Sequence, residues 1–212
     1  MPEVLIVDYG GGNVRSVQRA LERAGAQAAL CADPDRLATA ERLVFPGQGA
    51  LPDVMAALSG GLGEALRAQL ATGRPFLGIC VGLQALFERG EEHGGSPGLG
   101  LLPGTVRRFP PGGLAPAGRP LKVPHMGWNE VRLSEAGLAH PVLGQVGQGR
   151  HFYFVHSYYV EPADPSLVVA ETEHGQAFTS AVARDNLLAC QFHPEKSQGA
   201  GEALLSAWLE RA

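Results

Sequence analysis

Cysteine is scarce in this sequence. The three present, Cys31, Cys80 and Cys190, are widely spaced and odd in number. That excludes a disulfide framework and a C-x-x-C metal knuckle, and it fits a reducing cytoplasm. Positive charge is also short: Lys and Arg number 17 against 21 Asp and Glu, a net charge of −4. There is accordingly no electrostatic case for nucleic acid or an anionic membrane as a partner. No run approaches the ~18 consecutive apolar residues of a membrane span. The N-terminus lacks a basic region and a cleavage site, so no signal peptide is expected. Nucleotide and metal signatures are missing as well. The glycine cluster at residues 10–15 fails the G-x-G-x-x-G pattern because its last position is Arg15, and no Walker motif occurs. There is no H-E-x-x-H pair, and His151 and His156, five apart, fall on opposite faces of one strand. Neither a metal nor a cofactor is expected.

At 212 residues, with 45% hydrophobic and 18% charged, the chain reads as one packed domain spanning residues 1–212. Its 29 glycines and 16 prolines show no three-residue period, so they go into turns rather than collagen. The first half alternates strands and helices. Residues 4–8 form an apolar run, and Val14, Val17, Leu21 and Ala24 then recur at helical spacing. Asn13 is placed to cap that helix through its side chain, and Gly25 to stop it. Further strands are expected at residues 26–32, 43–45 and 75–79. Leu62, Ala65, Leu66 and Leu70 mark a second helix, and residues 81–88 a third. This alternation implies a parallel sheet covered by helices. In the second half, strand runs at residues 105–109, 152–160, 167–172, 177–183 and 187–192 are joined by turn residues such as His174-Gly175 and Asp185-Asn186. That pattern predicts antiparallel hairpins before a closing amphipathic helix at 201–211. The expected fold is α/β: a three-layer, open, mostly parallel sheet flanked by helices, with antiparallel strands in the C-terminal half.

Chemistry concentrates at two places. Gly78-Ile79-Cys80-Val81-Gly82 has the strand-to-helix form of a nucleophile elbow, with sulfur in place of the serine hydroxyl. The flanking glycines suit a crowded turn that lifts Cys80 to the carboxyl edge of the sheet, and a following helix dipole favours thiolate. Phe192-His193-Pro194-Glu195 supplies a base. Strand alternation puts Gln191, His193 and Glu195 on one face and Cys190 on the other, and Pro194 keeps His193 extended. Glu195 can then orient the His193 ring, completing a Cys80–His193–Glu195 triad. Cys31 and Cys190 read as packing. In Pro46-Gly47-Gln48-Gly49 two glycines flank Gln48, so a peptide flip there is inexpensive. An amide from Gln48–Gly49 together with that of Val81 can form an oxyanion hole. An elbow-cysteine peptidase and a catalytically silent binding subunit stand beside a glutamine-hydrolysing enzyme as alternatives.

These residues, with Gln84, resemble the class I glutamine amidotransferases. Within them, Gly11-Gly12-Asn13, Pro124-His125-Met126-Gly127-Trp128-Asn129-Glu130, Tyr153-Phe154-Val155-His156-Ser157-Tyr158 and Glu195-Lys196-Ser197 are similar to the glutaminase subunits of imidazole glycerol phosphate synthases. The resemblance runs over essentially the whole chain. It implies that Cys80 attacks the carboxamide of glutamine, and that Gly49, Gln84, Glu92, Ser157 and Tyr158 hold the substrate's amino-acid end. It implies a heterodimer with a (βα)8-barrel cyclase subunit that takes the ammonia, with Asn13, Trp128, Asn129, Tyr153 and Lys196 near the interface. Two features depart from the family: Gln48 stands where valine is usual, and the stretch at residues 107–119 is longer and richer in proline and glycine.

Overall fold

The computed structural model describes residues 1–11, 13–110, 114–115 and 119–211, with backbone alone at 114, 115, 119 and 120. Gly12 of the first glycine cluster and much of the 107–119 stretch therefore lie outside the described residues.

The first half is built of parallel strands joined by helices. The strands are β1 (Glu3–Val7), β2 (Gln27–Cys31), β3 (Leu43–Gly47) and β4 (Phe76–Cys80), side by side in the order β2-β1-β3-β4. β3 and β4 are buried at every position, as strands covered on both faces must be, which is why they read as unbroken apolar runs. Helix α1 (Val14–Arg23) turns Val17, Ala20 and Leu21 inward. Asn13 sits at its N-cap, but its side chain makes no capping bond; its carbonyl instead accepts the amides of Ser16 and Val17. Two short helices escaped the periodicity reading, α2 (Pro34–Ala38) and α3 (Leu51–Ala57), because neither is long enough to show a repeating face. Local chemistry fixes α2: Asp33 accepts the Asp35 and Arg36 amides, and Pro34 fills the first turn. Helix α4 (Leu62–Ala71) leads into β4.

The expected helix at 81–88 is a single turn, α5 (Val81–Gln84). Residues 85–90 are drawn into the sheet instead: Leu99 donates to the Ala85 carbonyl at 2.7 Å, Leu101 and Leu102 both donate to that of Leu86, and β5 (Phe87–Gly90) follows. Tertiary pairing overrides helical spacing here. The chain continues through β6 (Ser96–Pro97), β7 (Leu102–Arg108), β8 (Leu114–Ala115), β9 (Arg119–Pro120) and β10 (His125–Leu133). Helices α6 (Glu135–Ala139) and α7 (Leu143–Val146) precede β11 (Arg150–His156). The strand expected at 152–160 is broken at Ser157, since β11 pairs with β10 whereas β12 (Tyr158–Pro162) pairs with β7 and β14. Then come β13 (Val168–Glu173), β14 (Ala177–Arg184), β15 (Leu187–Cys190) and α8 (Gln198–Arg211).

In the large sheet β15 lies parallel beside β4, and β14 lies antiparallel beyond it. The architecture is thus an open α/β sheet whose parallel part, β2-β1-β3-β4-β15, carries the C-terminal ends of all five strands to one edge. The antiparallel hairpins of the second half extend it. Helix α1 packs with α8 and α8 with α7, while α2 packs with α4. Right-handed crossovers put those two groups on opposite faces. Among the described residues no helix is long and apolar enough to cross a membrane.

Candidate active site

Cys80 closes β4 with φ 56° and ψ −111°, backbone angles that an L-residue adopts only when its surroundings enforce them. The enforcement comes from glycines on both sides. A Cβ on Gly82 would overlap the Phe45 carbonyl, and one on Gly78 would come within 2.9 Å of the Ala189 Cβ. On the neighbouring strand, a Cβ on Gly47 would lie 2.6 Å from the Gly82 amide. Three close backbone approaches therefore hold the turn, and Gly47 pairs in register with Cys80. With α5 reduced to one turn, the dipole expected to favour thiolate is correspondingly small.

His193 reaches the site by a route other than strand alternation. β15 ends at Cys190, and Pro194–Lys196 is a 3₁₀ turn, so the contact with Glu195 is made within that turn. His193 itself is extended, as the following proline requires. Its Nδ1 lies 2.8 Å from Glu195 Oε1, and both side chains are buried. The segment is fastened to β11 by Tyr153, whose carbonyl accepts the His193 amide and whose own amide donates to Ser197 Oγ. Ser197 in turn donates to the His193 carbonyl at 2.6 Å. Burial disfavours a charged ring, but the charge of Cys80 first and Glu195 second outweigh it, raising the His193 pKa to about 9. A protonated His193 ring is the state this arrangement favours.

Cys80 and His193 line one cavity of about 410 Å³. Gln48, Gly49, Val81, Gln84, Glu92, Ser157 and Tyr158 line it too, so the residues assigned from sequence to the oxyanion and to the substrate converge there. Glu92 also accepts the Leu51 amide at 2.8 Å, fixing its carboxylate at the start of α3. The Gln48 amide donates to the Tyr9 hydroxyl at 3.2 Å.

The residues assigned to an interface divide. Trp128 pairs across the strands with Tyr153, their rings edge to face at 6.3 Å, and Lys196 Nζ stands 5.9 Å from the Tyr153 ring centre. With Met126, 63% exposed, and Trp128, 46% exposed, they make one aromatic and apolar patch. Asn13 begins α1, which contacts the 3₁₀ turn that carries Lys196. Asn129 is different. Its side chain turns inward, donating to the Glu173 carbonyl at 2.8 Å and to His125 Nε2 at 3.1 Å.

Sequence reasoning gave four residues of this region no role in the site. Tyr9 follows an unremarkable strand, and nothing local marks it. His125 and His156 lie 3.0 Å apart, Nδ1 to Nε2, on paired strands far apart in sequence. Burial lowers the pKa of each to about 3, so both rings are neutral. Gln191 was placed with His193 by alternation, and its Nε2 lies 3.6 Å from Cys80 Sγ. Among the described residues no group of three or more His, Cys, Asp or Glu is arranged to hold a metal ion.

An elbow cysteine facing a carboxylate-oriented histidine across a cavity defines a thiol enzyme of the amidotransferase kind, and residues 5–211 match the model of the glutamine amidotransferase class-I family. The chain belongs to that family and is a glutamine amidotransferase. Among curated proteins it is 51% identical over 216 residues to the imidazole glycerol phosphate synthase subunit HisH of Aromatoleum aromaticum, covering 100% of both chains. It is 52% identical over 211 residues to the subunit of that name from Dechloromonas aromatica, covering 98% of this chain and 95% of that protein. Solved structures share the fold at lower identity. One described as PurLQS from Thermotoga maritima superimposes with a TM-score of 0.76 at 19% identity, covering 99% of this chain and 98% of that one. The glutaminase domain of Trypanosoma brucei CTPS with bound acivicin gives 0.67 at 16%, covering 100% and 95%.

Proposed function

We propose that this chain is the glutaminase subunit of an imidazole glycerol phosphate synthase, working as a single domain over residues 1–212 in the cytoplasm. It hydrolyses L-glutamine to glutamate and ammonia and passes the ammonia to a (βα)8-barrel cyclase partner for imidazole glycerol phosphate formation in histidine biosynthesis. The observation that carries the reading is the pairing of Cys80 with the buried His193–Glu195 dyad in one cavity, in a chain about half identical to HisH subunits over its full length.

In this reading the Cys80 thiolate attacks the side-chain carbonyl carbon of glutamine. The oxyanion that forms is met by the Val81 amide and an amide of the Gln48–Gly49 segment. Protonated His193 gives its proton to the departing nitrogen, so ammonia leaves and a γ-glutamyl thioester remains. Neutral His193 then takes a proton from water, whose oxygen attacks the thioester carbonyl. The carbon–sulfur bond breaks, glutamate departs and the thiolate returns. Glu195 holds the ring in the orientation both steps need. Gly49, Gln84, Glu92, Ser157 and Tyr158 hold the amino-acid end of the substrate. Ammonia released into water would become ammonium and lose its nucleophilicity, which is the reason for direct transfer to a partner. The Trp128, Tyr153 and Lys196 patch, with Asn13 beside it, is the docking face. All three cysteines are free, which suits a reducing compartment.

The test is co-purification with a candidate cyclase chain, followed by a glutamine-dependent cyclisation assay. Glutamine hydrolysis is expected to be weak in the isolated chain and to rise by ~10²–10³ when the partner and its acceptor ligand complete the oxyanion hole. Cys80→Ala should abolish both hydrolysis and glutamine-dependent cyclisation, while cyclisation from added ammonia persists. Full hydrolysis by the isolated chain, or unchanged glutamine-dependent synthesis with Cys80→Ala, would defeat the reading.

A further inference from the structure

Gln191 follows β15 directly and is wholly buried. Its side chain ends a series of hydrogen bonds in which each donor and acceptor is determined. The Tyr158 carbonyl can only accept, and it takes two bonds, from His156 Nδ1 at 2.8 Å and from Gln84 Nε2 at 3.0 Å. Gln84 therefore presents its nitrogen there. That same nitrogen lies 3.0 Å from Gln191, which must present Oε1 to it. The other end of the Gln191 carboxamide, Nε2, is left at 3.6 Å from Cys80 Sγ. Turning either amide over would bring two oxygens, or two N–H groups, together in a space that water does not reach.

We propose that Gln191 is a catalytic residue whose side-chain amide donates a hydrogen bond to the Cys80 sulfur, holding the thiolate before attack and receiving it again when the acyl group leaves. The inference rests on the reading of Cys80 as the nucleophile. Its physical ground is the scarcity of other support. A sulfur anion with 4% exposure needs donors, and the single turn of α5 supplies little dipole. His193 is the other candidate, but its Nε2 hydrogen-bonds to nothing among the described residues, and it loses its proton to the departing nitrogen. A carboxamide keeps its hydrogens throughout, so the Gln191 donor is still in place when the carbon–sulfur bond breaks.

The other titratable groups around the sulfur are accounted for. His193 with Glu195 comes from the segment after β15, Cys190 ends β15, Tyr9 comes from the loop after β1, and Glu92, His156 and Tyr158 line the cavity. Burial foremost pushes the Cys190 thiol and the Tyr9 phenol upward, so both keep their protons at neutral pH. His156 is neutral and already donates its Nδ1 hydrogen to Tyr158.

The experiment follows alkylation of Cys80 by iodoacetamide against pH in the full chain, with the modified peptide located by mass spectrometry. In Gln191→Met, which keeps the bulk and removes the donor, the midpoint of the profile should move up by about one pH unit. The plateau at high pH should rise about threefold, because a more basic thiolate is a better nucleophile. Gln191→Glu, which turns a carboxylate oxygen toward the sulfur, should move the midpoint further. The kcat for glutamine should fall while KM changes little. An unchanged alkylation profile in folded Gln191→Met overturns the proposal. Because this reads sulfur reactivity and not turnover, it is separate from failure of the glutaminase reading, which Cys80→Ala tests. Nitrogen-15 NMR of the unaltered chain gives a second measurement that needs no variant. The Gln191 side-chain amide signals should titrate with the alkylation midpoint, and signals that stay fixed across it equally overturn the proposal.

Discussion

The backbone amide of Gln48 donates to the phenolic oxygen of Tyr9 at 3.2 Å, tying the loop after β3 to the loop after β1. β3 stands between β1 and β4 in the sheet, and Cys80 ends β4. An amide engaged by Tyr9 is thus committed to a side chain from the β1 side, across β3 from the nucleophile. Gly47 and Gly49 flank it, the latter at φ 95°, so the peptide can reorient once that bond is broken.

Tyr9→Phe removes the acceptor and little else. A neutral hydrogen bond contributes about 1 kcal/mol, so hydrolysis of glutamine by the isolated chain should rise about fivefold, with partner activation reduced by the same factor. Steady-state glutamate release by the variant, with and without the partner, measures both. Unchanged basal hydrolysis would show that Tyr9 does not restrain the loop.

The strained backbone at Cys80 makes a stability prediction. Glycine tolerates φ 56° and ψ −111° better than any L-residue, although it loses more entropy on folding. Cys80→Gly should therefore be about 1 kcal/mol more stable than Cys80→Ala in denaturant melts, and both should be inactive. Equal stability would mean that the elbow stores no strain.

Histidines set the pH range of the fold from both sides. The His193 pKa is raised to about 9 from 6.5, so its contribution is complete below pH 6.5 and lost as pH climbs through 9. His125 and His156 are lowered to about 3, so theirs is complete above pH 6.5 and lost as pH falls toward 3. Denaturant midpoints measured between pH 4 and 10 should peak at about pH 6.5. Cys80→Ala should flatten the alkaline side, since the cysteine is the leading cause that raises the His193 pKa. An alkaline slope unchanged in that variant would contradict the coupling.

The aromatic patch predicts a binding cost. Trp128 is half exposed and braced by Tyr153, the usual form of an interface anchor. Trp128→Ala should weaken the complex with the cyclase chain by at least tenfold in Kd, as read by titration calorimetry. Unaltered affinity would move the docking face elsewhere.

How far the sequence could be read depended on whether a signal was local. The elbow was legible because Gly78 and Gly82 are demanded by contacts within a few ångströms of Cys80, and the Phe45 carbonyl leaves Gly82 no alternative. The His193–Glu195 pair was legible for its two-residue spacing, although a 3₁₀ turn and not strand alternation joins them. Residues 81–88 failed as a helix because Leu99, Leu101 and Leu102 pull that backbone into strand pairing from outside any window. The Asn13 side-chain cap failed because its carbonyl does that work instead.

The places of the parallel strands along the chain, the elbow's glycines and the identities of sulfur, imidazole and carboxylate were all determined by the sequence alone, since each is a matter of periodicity, backbone freedom or residue chemistry. Only the tertiary structure decided that Tyr9 takes the Gln48 amide, that His125 meets His156, and that Gln191 points its nitrogen at Cys80. Those contacts join residues from 31 to 111 positions apart. A hydrogen bond depends on angstrom-scale placement, and chain connectivity over such distances does not supply it until the sheet has formed.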